Sequence, residues 1–209
     1  MPFSSPGVMV TAHWRQTRML LGIFDADGYR PFRSPIGQDG FLYYAELDHV
    51  IPLGDGHFTW KLGGYVNAVS GNYLTQYTTI GAAGAQSGLY GIAEYRWQGK
   101  GADWGLFMQA AGTPASAASV ATYFGTGLRV RHFLRRSEGT TLSIGMARVS
   151  QRSSGSETLL EMNLRQPLFD HVFLSPDIQY VINPGANAAS YAIPDAWVGM
   201  LRIGWRGRI

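Results

Sequence analysis

The segment Ala196-Trp-Val-Gly-Met-Leu-Arg-Ile-Gly-Trp-Arg206 divides into two rows when alternate positions are read together. Successive side chains of a β-strand point to opposite faces, so one face carries the odd-numbered positions, an aliphatic row with Trp197 and Trp205 at its ends. The other face carries Arg202 and Arg206. Tryptophan favours the two interfaces of a membrane, so the segment predicts a strand with one face toward lipid and the other toward water.

Four other segments divide into an apolar row and a charged row in the same way. In one of them, Leu47 and Ile51 alternate with Glu46 and Asp48. Only the apolar row of such a strand can face lipid, because a charged side chain is costly there. The charged rows contain Glu46, Asp48, Glu94, Arg96, Asp103, Gln109, Glu161 and Arg165.

Alternation of this kind recurs in about eleven segments of roughly ten residues, the strand length of an outer-membrane barrel. It predicts an all-β fold, an antiparallel up-and-down transmembrane β-barrel of about 10–12 strands, in a single domain that covers residues 1–209. The predicted strands are Val8–Arg15, Arg18–Asp25, Gly40–Ile51, Phe58–Val69, Gly88–Gln98, Asp103–Gly112, Ala121–Phe133, Thr140–Ser150, Thr158–Gln166, Val172–Ile182 and Ala196–Arg206.

Compact turns alternate with longer connections between these strands. The short segments Pro52–Gly56, Gly99–Gly101 and Ser137–Gly139 are rich in glycine, as hairpin turns require, and we place them on the periplasmic side. Longer connections rich in Gly, Ser, Asn and Pro suit extracellular loops. They cover Ala26–Asp39, Ser70–Ser87, Thr113–Val120 and Asn183–Asp195.

The composition excludes several classes of protein. The chain has no cysteine, which rules out disulfides, thiolate metal sites and a cysteine nucleophile. No window approaches eighteen consecutive apolar residues, so a transmembrane helix is excluded. The basic residues are scattered except at Arg129, Arg131, Arg135 and Arg136, which is not the coherent stripe that nucleic acid binding needs. We therefore predict no nucleic acid partner.

The start of the chain lacks the apolar run of a secretory signal peptide. On this basis we expect the chain to be mature, truncated at its N-terminus, or not exported.

A soluble antiparallel sandwich is the structural alternative, because it would show the same alternation with the apolar row turned inward. Only 15% of the residues are charged, however, and 13% are aromatic. The long strands, the placement of Trp and Tyr near strand ends and the 27 glycines also favour the membrane barrel.

Several motifs resemble the carbohydrate-selective porin family, the OprB-like porins of Gram-negative bacteria. Ala45-Glu-Leu-Asp-His-Val50 and Trp60-Lys-Leu-Gly-Gly-Tyr65 are similar to an acidic strand followed by a strand of the type KLGGW, with Tyr65 as a departure. Leu174-Ser-Pro-Asp-Ile-Gln-Tyr-Val-Ile-Asn-Pro-Gly185 is close to the pattern PDLQYVINPGG and is the most specific signal. Weaker similarities are Met19–Asp27, Gly88–Tyr95 and Gly105–Ala111.

The resemblance implies a channel in the bacterial outer membrane. It covers nearly the whole chain, but only about the C-terminal two-thirds of a full family member. Family members have sixteen strands, a signal peptide and commonly a terminal aromatic residue, whereas this chain has about eleven strands, no signal peptide and ends in Arg208-Ile209. An open sheet would leave unpaired backbone groups in hydrocarbon. Either the chain is part of an incomplete sixteen-stranded barrel, a partner chain or second copy supplies strands, or it closes alone at ten or twelve.

The charged rows supply the candidate functional residues. A water-filled lumen would be lined by both signs of charge, and carboxylates, guanidinium groups and tyrosines such as Tyr65, Tyr90 and Tyr123 can bind sugar hydroxyls or stack on a sugar ring. Charges that merely solvate the interior are an equal alternative. The predicted pore-lining residues are Glu46, Asp48, Lys61, Tyr65, Glu94, Arg96, Asp103, Arg129, Arg131, Glu161, Arg165, Asp177, Gln179 and Arg202; the predicted membrane-interface residues are Trp97, Trp104, Trp197 and Trp205.

The sequence suggests three functions, in decreasing order of preference. The first is a porin-like channel for passive diffusion of carbohydrates and other small hydrophilic solutes, without a cofactor and surrounded by outer-membrane lipid. The second is a non-conducting structural or interaction barrel subunit of an envelope complex. An enzyme is the least favoured, because the five histidines lack metal-binding spacing such as HExxH and no phosphate-binding loop occurs.

Overall fold

A computed structural model describes residues 6–26, 35–37, 40–69, 86–114, 120–133, 139–169, 171–187 and 193–205. The described chain forms eleven β-strands and a 3₁₀ turn at Pro184–Asn187. The strands are β1 (Gly7–Trp14), β2 (Thr17–Asp25), β3 (Gly40–Leu53), β4 (Gly56–Val69), β5 (Gln86–Gly99), β6 (Ala102–Gly112), β7 (Val120–Arg131), β8 (Thr141–Gln151), β9 (Gly155–Phe169), β10 (Val172–Ile182) and β11 (Ala196–Trp205).

The strands make one antiparallel sheet in which each strand pairs with the next along the chain, from β1 to β11. The predicted up-and-down order and strand count are thereby confirmed. Two-residue turns join several pairs; in two of them the backbone reverses through a left-handed glycine, Gly54 at φ +55° and Gly101 at φ +81°. The β8–β9 connection, 152–154, is also short, although it lies at the end of the sheet where the longer connections emerge.

Several strand ends differ from the prediction by two or three residues, most clearly in β7 and β9. Strand β7 stops at Arg131 instead of Phe133, because His132 takes a left-handed conformation with φ +59° that ends the extended backbone. Strand β9 runs from Gly155 to Phe169, beyond both predicted ends. Pro167 lies inside β9, next to the register shift where this strand meets β10.

The sheet buries polar side chains and exposes apolar ones. Among the described residues, only Val130 and Ala186 are buried hydrophobic residues, whereas Asp48 and Asp177 are 7% and 9% exposed. Leu201 and Ile203 are 66% and 70% exposed. A soluble sandwich would cover its apolar face with a second sheet, and none is present in the described part of the chain. An apolar face of this extent marks a surface that contacts lipid or another protein.

The sheet is open in the part of the chain that the structure describes. β1 and β11 each pair with one neighbour, so each presents one row of unpaired backbone groups. Such edges are unstable in hydrocarbon unless another strand pairs with them.

Some predicted features lie outside the described residues. These are Arg135, Arg136, Ser137 and Arg206, together with most of the long connections that were predicted as extracellular loops. None of the helices among the described residues is both long and apolar enough to cross a membrane.

Candidate functional site

The register of the sheet places the charged rows of all strands on one face, here called the polar face. In adjacent strands, side chains of directly paired residues point to the same side. One such line runs from Arg18 through Asp48 and Lys61 to Ile92 and Gln109. The polar face carries the predicted residues Glu46, Asp48, Lys61, Tyr65, Glu94, Arg96, Asp103, Arg129, Arg131, Glu161, Arg165, Asp177, Gln179 and Arg202.

The opposite side, here called the apolar face, carries the four tryptophans that were predicted at a membrane interface. Trp97 and Trp104 are paired near the β5–β6 turn, with stacked rings 6.0 Å apart. At the other end of the sheet, the ring of Trp197 lies 4.6 Å from that of Tyr180, and Trp205 ends β11 on the turn side. Trp197 and Trp205 are separated along the strand by roughly 27 Å, which at a tilt of about 35–45° corresponds to a height of roughly 19–22 Å, comparable to an apolar band about 25 Å tall.

A compact ionic network occupies the polar face of β2, β3 and β4. Asp48 accepts hydrogen bonds from Arg18 and from Lys61 Nζ, the latter at 3.2 Å. Arg18 also lies 3.2 Å from Glu46 Oε1. The two carboxylates and the two cations neutralise one another, so this part of the face is polar without a net charge.

Two tyrosines extend this network to β5. Tyr44 donates to Glu46 Oε2 at 2.8 Å, and Tyr90 donates to the same oxygen. The two rings are stacked with centroids 6.5 Å apart. Tyr90 lies flat against the sheet at Gly63, where a Cβ atom would collide with its ring. The two hydroxyls are thus held by one carboxylate. The Tyr90 ring lies against the sheet, and the Tyr44 ring stacks on it.

We expect Asp48→Asn to lower the free energy of unfolding by about 1–2 kcal/mol, because it leaves Arg18 and Lys61 without their shared carboxylate. The effect is moderated by solvent, since the Arg18 side chain is 37% exposed. Denaturant unfolding in detergent or lipid measures it. Glu94→Gln is the matched control: Glu94 pairs with Arg96 in a more exposed position of one strand, and its change should be less than about 0.5 kcal/mol. Equal losses in both variants would contradict the network's role.

A second feature of the polar face is a depression of about 320 Å³ across β5 to β9. Its floor is made by residues with small side chains, Gly105, Ser143 and Gly145. The Phe107 ring lies against Gly127, where an added Cβ atom would be 2.6 Å from Phe107 Cε1. Glu94, Arg96, Arg129 and Glu161 line the same depression. It therefore combines an aromatic ring with carboxylates and guanidinium groups, the groups that can bind a neutral polyhydroxyl solute.

The segment Pro176–Gly185 has a largely structural role. Asp177 Oδ2 and Ser175 Oγ accept hydrogen bonds from Asn163 Nδ2 at 3.0 and 3.1 Å. At the end of the segment, Asn183 Nδ2 donates to the Ser156 carbonyl at 2.7 Å. Gly185 takes φ +69°, which favours glycine, and its N–H donates to Glu157 Oε2 at 2.6 Å. The motif ties β10 and its loop to β9.

The sequence comparisons assign the family. A model of the carbohydrate-selective porin, OprB family, matches residues 2–206. The chain belongs to this family. OprB porins are outer-membrane β-barrels and are channels, not enzymes, so the predicted family, fold class and lack of an enzymatic class are confirmed. A comparison with curated protein sequences gives no match.

Solved porin structures have the same fold. The Pseudomonas putida OprB structure at high pH superposes with a TM-score of 0.80 at 15% identity, over 97% of this chain and 59% of that one. Vibrio cholerae OmpT matches with TM-scores of 0.53 (folded in vitro, 14% identity, 95% and 62% coverage) and 0.51 (expressed in the outer membrane, 15% identity, 93% and 61% coverage). The OprB-family chain thus spans less than two thirds of each, and its open sheet corresponds to part of a barrel wall.

Two groups of this OprB-family chain were missed by the sequence analysis. Arg18 is the only charged residue of β2 that points to the polar face. The alternation of side chains along β2 could have identified it. Tyr44 could not be assigned a role, because its partner Tyr90 is remote in sequence. No group of three or more His, Asp or Glu residues in the described segments could hold a metal ion.

Proposed function

We propose that the protein forms an outer-membrane channel through which carbohydrates and other small hydrophilic solutes diffuse, with the polar face of the sheet as its water-filled wall. The observation that carries this proposal is the inverted burial of the sheet. Carboxylates such as Asp48 are buried on the polar face, whereas the side chains of the apolar face are exposed. This is the arrangement of a barrel with lipid around it and water in its lumen. The tryptophans near strand ends would lie at the two membrane interfaces.

Sugars are the class of solute that the polar face favours. A sugar ring has apolar CH faces that stack on an aromatic ring, and hydroxyls that both donate and accept hydrogen bonds. The depression places Phe107 beside Arg96 and Arg129. The small residues around it leave room for a solute against the wall. Tyr65, which is 36% exposed, offers a second ring surface on β4.

Ion current through the protein in planar lipid bilayers tests the proposal. The protein should conduct, and glucose or maltose should reduce the current in a concentration-dependent way because a bound sugar obstructs ions. Phe107→Leu should weaken this block by about threefold or more, corresponding to loss of one stacking contact. Phe124→Leu, on the apolar face, is the matched control and should leave the block unchanged. Failure to conduct would overturn the channel; conduction without block would overturn sugar binding.

The open sheet favours a second candidate, a non-conducting structural or interaction subunit of an envelope complex. Within the described segments, β1 and β11 both lack an outer neighbour, so a partner or a second copy could pair with either edge. This candidate predicts a stoichiometric partner after mild solubilisation, and no ion conduction by the assembly.

A further inference from the structure

One cation breaks the separation of charged and apolar side chains between the two faces of the sheet. Arg148 pairs with Phe124 of β7 and with Thr158 of β9, so its side chain lies on the apolar face. It is exposed, and it is the only lysine or arginine that the described strands place on this face. A cation on the side that we assign to lipid is costly unless it reaches polar headgroups or a counter-ion.

The position of Arg148 along β8 is close to one edge of the apolar band. Arg148 lies three residues before the end of the strand at Gln151. Trp197 and Tyr180, whose rings are 4.6 Å apart, mark a membrane interface at the same end of the sheet. Arg148 is also displaced from Ile144 by four residues, or roughly 14 Å along the strand. The cost of a lipid-side arginine falls toward the interface, where its long side chain can extend to the headgroups.

No carboxylate of the described chain neutralises Arg148. None of the ion pairs among the described residues includes it. Glu157 of β9 points to the polar face, and it accepts a hydrogen bond from the Gly185 N–H. Arg152, in the turn that follows β8, adds a second positive charge, and its guanidinium donates to the Thr113 carbonyl oxygen. Within the described segments, this end of the β8–β9 hairpin therefore carries positive charge without a counter-ion.

Hydroxyl groups lie beside Arg148 on the apolar face. Thr158 is its direct cross-strand neighbour, and the next cross-strand row toward the turn consists of Thr122, Ser150 and Ser156. Ser150 Oγ lies 3.0 Å from Ser156 Oγ, and since one hydroxyl of this pair donates to the other, one O–H remains to donate to a ligand. The hairpin end thus offers a guanidinium group together with several hydroxyl donors.

We propose that this end of the β8–β9 hairpin binds the phosphate of an anionic lipid, with Arg148 as the cation that contacts it. Guanidinium groups bind phosphate oxygens through charge-assisted hydrogen bonds, and the neighbouring hydroxyls add donors. The acyl chains of this lipid would lie on Met146 and Leu160, which continue the apolar face from Arg148 toward the middle of the sheet. The inference rests on the proposed orientation of the apolar face toward lipid, and it does not depend on whether the protein conducts.

Native mass spectrometry of the full chain in detergent, titrated with phosphatidylglycerol or phosphatidylcholine, tests the site. The wild-type protein should bind phosphatidylglycerol more tightly, because the choline cation already neutralises the phosphate of the other lipid. Arg148→Gln should weaken phosphatidylglycerol binding by about tenfold, as expected for the loss of one charged donor. Arg148 is exposed, so this variant should fold normally.

Arg131→Gln is the matched control, because it removes the same charge from an exposed position on the polar face. It should leave lipid binding unchanged. A wild-type protein that does not prefer phosphatidylglycerol would overturn the proposal. So would equal phosphatidylglycerol binding by Arg148→Gln and the wild type, or equal losses in Arg148→Gln and Arg131→Gln.

Inorganic phosphate separates a lipid from a free anion. At the same concentration as the lipid it should not displace phosphatidylglycerol, because it lacks the acyl chains that contact the apolar face. Displacement would show that the site recognises phosphate alone and would overturn the lipid assignment. A preference for phosphatidylglycerol that depends on Arg148, in a protein that carries no current, would support this site and count only against the channel. Conduction without that preference would count only against the lipid site.

Discussion

Replacing Ile144 by arginine is expected to lower the free energy of unfolding in a lipid bilayer by about 2–4 kcal/mol, the cost of a cation on the lipid side of a barrel strand. Ile144 lies inside β8 on the apolar face, is 50% exposed and is paired with Leu128 and Met162. In a bilayer this exposed side chain would contact hydrocarbon, where a charge has no partner.

Ser143→Arg is the matched control, because Ser143 is the preceding residue of the same strand and points to the polar face. An arginine there would meet water, and its effect should be below about 1 kcal/mol. Reversible denaturant unfolding of the protein in lipid vesicles measures both. Similar costs for the two variants would contradict the assignment of the apolar face to lipid, and a larger cost for Ser143→Arg would reverse it.

Gly127→Ala should have the second largest effect, a loss of about 1–3 kcal/mol from overpacking. The added Cβ atom would be 2.6 Å from Phe107 Cε1 and 2.8 Å from the Ile144 carbonyl oxygen. Because one of these atoms belongs to the backbone of the adjacent strand, the Phe107 ring cannot relieve the crowding alone. The Phe107 ring should also be displaced from the sheet, which changes the lining of the depression.

Gly199→Ala is the matched control for this effect. Gly199 lies on the apolar face of β11, and an added Cβ atom there meets nothing within 4 Å. Since glycine weakens a strand through its conformational freedom, alanine at this position should be neutral or stabilise by up to about 1 kcal/mol. Gly127→Ala should therefore lower the free energy of unfolding, whereas Gly199→Ala should leave it unchanged or raise it. Destabilisation by Gly199→Ala of the same size as by Gly127→Ala would mean that glycine is needed for a reason other than close packing.

The two faces could be predicted before any coordinates because the period of a strand is independent of its partners. In β11, the separation of Trp197, Leu201 and Trp205 from Arg202 follows from extended backbone alone. The same argument identified Glu94 and Arg96 on β5 as one row. The end of β7 could not be predicted, because no local sequence pattern indicates that His132 takes a left-handed conformation.

The sequence by itself therefore determined the strands, their order along the chain and the polar or apolar character of each face. Only the tertiary structure decided which side chains meet. Arg18 reaches Asp48, thirty residues away, and Tyr90 reaches Glu46, forty-four residues away, because the register of the strand pairs brings them together. Side chains alternate every two residues, so shifting one strand against its neighbour by two residues leaves every side chain on the same face. Such a shift would nevertheless give each side chain a different cross-strand partner, so alternation alone does not determine the register. The pairing energy of whole strands selects one register, and with it the ionic network and the depression.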